Sequence, residues 1–163
     1  MVELSAQERI ILAIDTSATE DAERFAGLAQ AEAGDIIMLG VTELTSIPPE
    51  ETQARYGISR SVLVNRLARD AAAAGLKGIV ASPKEVLEIK FSTPTQDLFA
   101  MIPGVRPAGA EVNDQANVGT PGATIRNGAD LLVIGRPILK AEDPMRAYKD
   151  IAAEIEGAIN ERA

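Results

Sequence analysis

The chain has 163 residues, 46% of them hydrophobic, which is enough for one compact domain over residues 1–163 with its own core. Its 24 acidic and 16 basic residues give a formal charge of -8, a field that repels nucleic acid and anionic membrane surfaces, so neither is expected as a partner. With no cysteine and no histidine, disulfides, thiol catalysis, thiolate metal sites and imidazole bases are excluded, and no metal ligand set is expected.

Aromatic residues make up 3% of the chain, with no tryptophan, which argues against a base-stacking surface. No apolar run approaches the ~20 residues of a membrane helix, and the first residues lack a signal-peptide pattern, so the expected location is the cytoplasm. Short apolar runs alternate with amphipathic stretches, the pattern of an α/β protein with a parallel sheet.

In chain order, Ile10-Ile11-Leu12-Ala13-Ile14 reads as a first strand covered on both faces. Ser17 and Glu20 fit a capping box, and Ala22, Phe25, Ala26 and Ala29 form a helical stripe. A second strand is expected from about Asp35 to Thr42, followed by a longer loop and a helix from Ser61 to Gly75. Gly78 to Ala81 reads as a third strand, and Ser82-Pro83-Lys84-Glu85 as a second capping box. On the helix after it, Glu85 and Glu88 read as a solvated face. Leu98 to Ile102 supplies a fourth strand, and Thr120-Pro121 opens a helix that Asn127-Gly128 closes. Leu131 to Ile134 is expected as a fifth buried strand. Asp143-Pro144 then caps a terminal helix with Tyr148, Ile151, Ile155 and Ile159 on one face.

Parallel α/β folds bind ligands at the carboxyl ends of their strands. There the chain carries Asp15, Thr42 to Ser46, Pro103 to Pro107 and Gly135-Arg136-Pro137. A glycine after a strand opens the backbone to a ligand, and a neighbouring arginine offers a charged fork to phosphate oxygens. Arg106 and Arg136 thus make a phosphate site, although each reads equally well as a surface residue paired with a carboxylate. Asp15 fits a sugar hydroxyl, or more simply a turn before Thr16-Ser17. Thr45 and Ser46 fit a polar ligand or a loop cap. Gly104, Gly109 and Gly119 do not have the spacing of a nucleotide-binding fingerprint.

Taken together in order, these motifs resemble a known family. They are Ile11-Leu12-Ala13-Ile14-Asp15, Val41-Thr42-Glu43-Leu44-Thr45-Ser46, Gly75 to Pro83, Pro103-Gly104-Val105-Arg106-Pro107, Asn113-Asp114-Gln115, Thr120-Pro121, Gly135-Arg136-Pro137-Ile138 and Ala141-Glu142-Asp143-Pro144. The set resembles orotidine 5'-phosphate decarboxylase, a cofactor-free barrel enzyme of pyrimidine synthesis. The resemblance implies a truncated TIM-barrel-like fold, a partial β/α barrel of about five parallel βα units. The first unit would be joined near Ala29 to Gly34 directly to the last four, since a whole barrel takes at least about 200 residues. The expected strand order is second, third, fourth, fifth, first, with the second and first strands as edges. Open edges predict a homodimer, unless a helix closes over the inner face.

By the same resemblance Asp15 matches a ribose contact and Thr45 a contact near the pyrimidine. Arg106 and Gln115 match a phosphate-gripping loop, and Gly135 and Arg136 a phosphate-binding turn. Asn113 stands where the family usually has glycine, and Asn117 where it has arginine. The family's lysine–aspartate array lies in the missing middle, and Lys77, Lys84, Lys90, Lys140 and Lys149 fall outside any such motif. The reading is therefore a homologue that keeps a site for a phosphorylated small molecule, such as a pyrimidine nucleoside monophosphate, with no cofactor and no efficient decarboxylation. Two alternatives remain open: residual or altered lyase activity through Lys140, Asp15 or Glu43, and a structural relic or engineered fragment without a specific ligand.

Overall fold

A computed structural model describes residues 39–108 and 117–162. The expected first strand, its helix and the proposed junction lie outside the described residues, as does the part of the single-domain expectation that covers them. Leu39–Ala163 forms one compact unit.

Ten elements follow in the order β1 (Leu39–Val41), α1 (Pro49–Tyr56), α2 (Arg60–Ala73), β2 (Gly78–Val80), α3 (Val86–Lys90), β3 (Phe99–Ile102), α4 (Pro121–Arg126), β4 (Leu131–Leu132), α5 (Arg136–Leu139) and α6 (Pro144–Arg162). The strands form one sheet in the order β1-β2-β3-β4. All three pairings are parallel, with Val41 opposite Val80, Val80 opposite Met101 and Met101 opposite Leu131. This is the order expected for the second to fifth strands.

Side chains alternate across a strand, so the sheet has two different faces. Ile79, Ala100 and Ile102 point to one face and are fully buried, with Val64 and Ala68 of α2 and Val86 and Ile89 of α3 also at 0% exposure. This helix–sheet layer is the core. The strand expected to be buried at Leu131 to Ile134 is instead half open: Leu131 is 49% and Val133 48% exposed. Their apolar character reflects the other face of the sheet, which no described helix covers, whereas Leu132 and Ile134 pack against the core.

The helix boundaries follow from local chemistry. Ser59 caps α2 by accepting the Val62 N–H at 3.3 Å, one residue earlier than expected. Thr120 caps α4 through the Ala123 N–H at 3.3 Å, with Pro121 at the first helical position. Asp143 accepts the Arg146 N–H at 3.0 Å at the start of α6. Glu154 of α6 accepts the Gly122 N–H at 2.7 Å, and Arg126 meets Glu161 at 2.9 Å, which fixes α6 against α4. The second capping box is displaced: α3 begins at Val86, and Ser82 to Glu85 form the turn before it. Helix α1 was not apparent in the sequence, because its eight residues are polar on nearly every side and only Thr52 is buried.

Candidate functional site

The carboxyl ends of the strands all lead to one end of the sheet, as parallel pairing requires. After β1 comes Thr42-Glu43-Leu44-Thr45, and after β2 comes Ala81-Ser82-Pro83. Pro103-Gly104-Val105-Arg106 follows β3 and Gly135-Arg136 follows β4.

Beneath this end lies a buried ionic cluster. Arg60, 4% exposed, donates from Nη1 to Glu43 Oε2 at 2.8 Å and from Nε to Glu85 Oε1 at 3.1 Å. It also donates to the carbonyls of Glu43, Leu44 and Ile47 at 3.1–3.2 Å. One cation thus faces two carboxylates, and hydroxyls supply the remaining donors. Thr52 Oγ1 lies 2.8 and 2.7 Å from the two oxygens of Glu43, and Ser82 Oγ donates to Glu85 Oε2. Glu85 is therefore no part of a solvated face; burial is tolerated because Arg60 and Ser82 satisfy it. Glu88 is exposed and accepts from Ser61 Oγ at 2.7 Å. Glu43, an alternative titrating group from the sequence, is committed to Arg60 and Thr52. The cluster pins the loop that carries Thr45.

Thr45 and Arg106 belong to segments joined by residues 117–119. Asn117 is fully buried, and its Nδ2 donates to the carbonyls of Thr45 and Ile47, both at 3.3 Å. Two residues on, the Gly119 carbonyl accepts the Arg106 N–H at 2.9 Å, and Val105 and Gly119 form a parallel bridge. Asn117 is thus a clasp between two loops. A single polar residue in a loop carries no local sign of this role in the sequence, because both carbonyls it meets lie 70 or more positions away. Gly104 turns the chain out of β3 with φ 77°, a left-handed conformation that favours glycine. Arg106, 8% exposed, donates from Nη1 to the Val105 carbonyl at 2.8 Å.

Gly135 leads into α5, and a Cβ added to it would meet no atom within 4 Å. Open space in front of this backbone is what close approach of a ligand needs. Arg136 beside it is partly exposed. Pro107 and Pro137, the residues after the two arginines, line one cleft of about 290 Å³ against α6, so the two arginine turns are neighbours. Asp150 and Glu154 on the far wall make the cleft itself a poor anion site. Thr45, Arg106, Gly135 and Arg136 thus lie at the same end of the sheet. Asp15 and Gln115 lie outside the described residues.

The lysines are placed differently. Lys90 meets Asp130 at 2.8 Å and donates to the Leu98 carbonyl at 2.8 Å, and Asp130 and Leu98 precede β4 and β3, at the amino end of the sheet. Lys77 precedes β2 at that same end, and Lys149 lies in α6. Lys84 and Lys140 follow β2 and β4 and are exposed. Among the described residues no group of three acidic, cysteine or histidine side chains could hold a metal, and no helix is long and apolar enough to cross a membrane.

The family model described as "Orotidine 5'-phosphate decarboxylase / HUMPS family" matches residues 26–151. The chain belongs to this family. An orotidine 5'-phosphate decarboxylase of Syntrophotalea carbinolica is 47% identical over 127 residues, covering 77% of this chain and 51% of the relative. That of Opitutus terrae is 43% identical over 128 residues, covering 77% and 55%. The crystal structure of the Lactobacillus acidophilus enzyme superposes with TM-score 0.59 at 32% identity, covering 77% of this chain and 51% of that one. The fold is accordingly that of a partial β/α barrel, and the chain spans about half the length of the curated relatives it matches. The family match begins after Asp15, so the ribose role of that residue has no support from it.

Proposed function

We infer that this chain binds a phosphorylated small molecule of the pyrimidine nucleoside monophosphate class at the carboxyl end of its sheet, and that it does not decarboxylate efficiently. Arg106 and Arg136 grip the phosphate, the open backbone at Gly135 admits it, and the Thr45 loop meets the base. Asp15 and Gln115 are assigned to the ribose and the phosphate loop by motif alone. The observation that carries the reading is the adjacency of the two arginine turns, whose prolines Pro107 and Pro137 share a cleft.

What supports the second half is the fate of the charged groups. Loss of carbon dioxide without a cofactor needs a positioned acid and electrostatic pressure on the carboxylate. Glu43 and Glu85, the buried carboxylates at the strand ends, share the one guanidinium of Arg60, and Lys90 is spent on Asp130 at the other end of the sheet. Ligand handling without the reaction is the activity these residues can perform, in a single domain of the cytoplasm.

Calorimetric titration with uridine 5'-monophosphate tests the reading. Saturable binding is expected, weakened at least tenfold in Arg136→Ala, as befits the loss of a charge-assisted hydrogen bond worth ~1.5–3 kcal/mol. No binding by a folded protein would overturn it. Turnover of orotidine 5'-monophosphate that disappears in Lys140→Ala would favour the alternative of residual lyase activity.

A further inference from the structure

The loop between β1 and α1 is held from within by its carbonyls. Arg60 donates from Nη2 to the Glu43 carbonyl at 3.2 Å, and from Nη1 to those of Leu44 at 3.2 Å and Ile47 at 3.1 Å. Its other bonds, to Glu43 Oε2 and Glu85 Oε1, lock the guanidinium in place. Arg60 is also the first residue of α2, whose start the Ser59 cap fixes. The group that grips the loop is therefore mounted on a rigid element, which makes its geometry reproducible.

A trans peptide unit is planar, with its N–H directed opposite to its C=O. The Glu43 carbonyl shares a peptide unit with the Leu44 N–H, and the Leu44 carbonyl shares one with the Thr45 N–H. Both carbonyls point at one buried guanidinium, so both N–H groups point away from it. Arg60 is 4% exposed and Leu44 61%, so that direction leads outward, at the carboxyl end of the sheet. Successive N–H groups aligned in this way form a concavity that takes an oxygen acceptor.

Resting on the assignment of the Thr45 loop to the base, we propose that Arg60 is a positioning residue for ligand recognition: it turns the loop so that the Leu44 and Thr45 N–H groups meet hydrogen-bond acceptors on the base of the bound nucleotide. Arg60 itself touches no ligand and acts only through the loop. Lysine cannot take over this role. The planar guanidinium fork reaches three carbonyls and two carboxylates at once, whereas a single ammonium on a flexible stem keeps the charge but cannot hold all of them.

Calorimetric titration with uridine 5'-monophosphate and with ribose 5-phosphate, which lacks the base, tests this. The wild-type chain should bind the nucleotide more tightly than the sugar phosphate. In Arg60→Lys that preference should shrink about tenfold, as for the loss of one or two neutral hydrogen bonds, with ribose 5-phosphate affinity unchanged. Ile79→Val, in the fully buried core layer, should lower the unfolding midpoint and leave the preference at its wild-type value, which separates positioning from a general loss of stability. In the isotope-labelled wild-type chain, the Leu44 and Thr45 amide resonances should move with the nucleotide and stay in place with ribose 5-phosphate, a readout that needs no variant to fold. A preference unchanged in Arg60→Lys, or Leu44 and Thr45 amides that ignore the nucleotide, would overturn the proposal and leave the phosphate site standing. Equal wild-type affinity for the two ligands would do the same. If the folded wild-type chain binds neither ligand, the nucleotide reading itself falls and this role of Arg60 with it.

Discussion

Replacing Arg60 with methionine isolates the ionic cluster that holds the loop after β1. The substitution keeps most of the aliphatic bulk and removes five hydrogen bonds, two of them to carboxylates. Hydrogen bonds to charged groups are worth ~1.5–3 kcal/mol each, so the two ionic contacts alone amount to about 3–6 kcal/mol. Breaking a buried ion pair by deleting one partner costs ~3–5 kcal/mol, in agreement, because Glu43 and Glu85 are left buried without their cation. Two of the three carbonyls keep other donors: Leu44 accepts the Ile47 N–H at 3.0 Å and Ile47 accepts Asn117 Nδ2 at 3.3 Å. They add little. With a urea m-value of ~2 kcal/mol/M, the unfolding midpoint should fall by ~1.5–2.5 M. Adding Glu43→Gln and Glu85→Gln to Arg60→Met should restore part of the loss by removing the orphaned charges. The reasoning is refuted if Arg60→Met costs less than ~1 kcal/mol, or if the triple variant is no more stable than the single one. Arg55→Ala is the control: its partner Glu51 lies one turn away on an exposed surface, and the change should cost ~0.3–0.5 kcal/mol.

Three further outcomes are expected. Gly104→Ala should cost ~1–2 kcal/mol in denaturant titrations, since φ is 77° there, and should weaken nucleotide binding by displacing Arg106. Gly135→Ala should change stability by less than ~1 kcal/mol, because its Cβ meets nothing, yet reduce uridine 5'-monophosphate affinity more than tenfold by calorimetry. Equal affinity in that variant would place the ligand away from this turn. Ile79→Ala, in the fully buried layer beneath α2, should cost ~2–5 kcal/mol by thermal or urea unfolding.

Patterns confined to a few neighbouring residues were legible in the sequence. Thr120-Pro121 and Asp143-Pro144 announce helix starts because a cap is satisfied within three residues, and both caps form as expected. The apolar runs at residues 39–41, 78–80 and 99–102 announce strands, and their alternation with helices dictates a parallel sheet. Ordered strand-end motifs carried the family, and the family match extends over residues 26–151.

Other features depend on contacts between distant residues, and these only the tertiary structure decided. Glu85 reads as solvated from helical spacing, yet Arg60, 25 positions earlier, draws it into the core. Asn117 carries no local signal because its partners, the Thr45 and Ile47 carbonyls, lie 72 and 70 positions away. Leu131 and Val133 look like buried strand residues because composition records that a side chain is apolar, not whether anything covers it. Local sequence thus determined the elements, their caps and their parallel arrangement, since short-range sterics and hydrogen bonding govern these. Which charges are buried together, which loops are clasped and which apolar face stays open were decided by tertiary packing, where the balance of desolvation against pairing is settled by residues far apart in the chain.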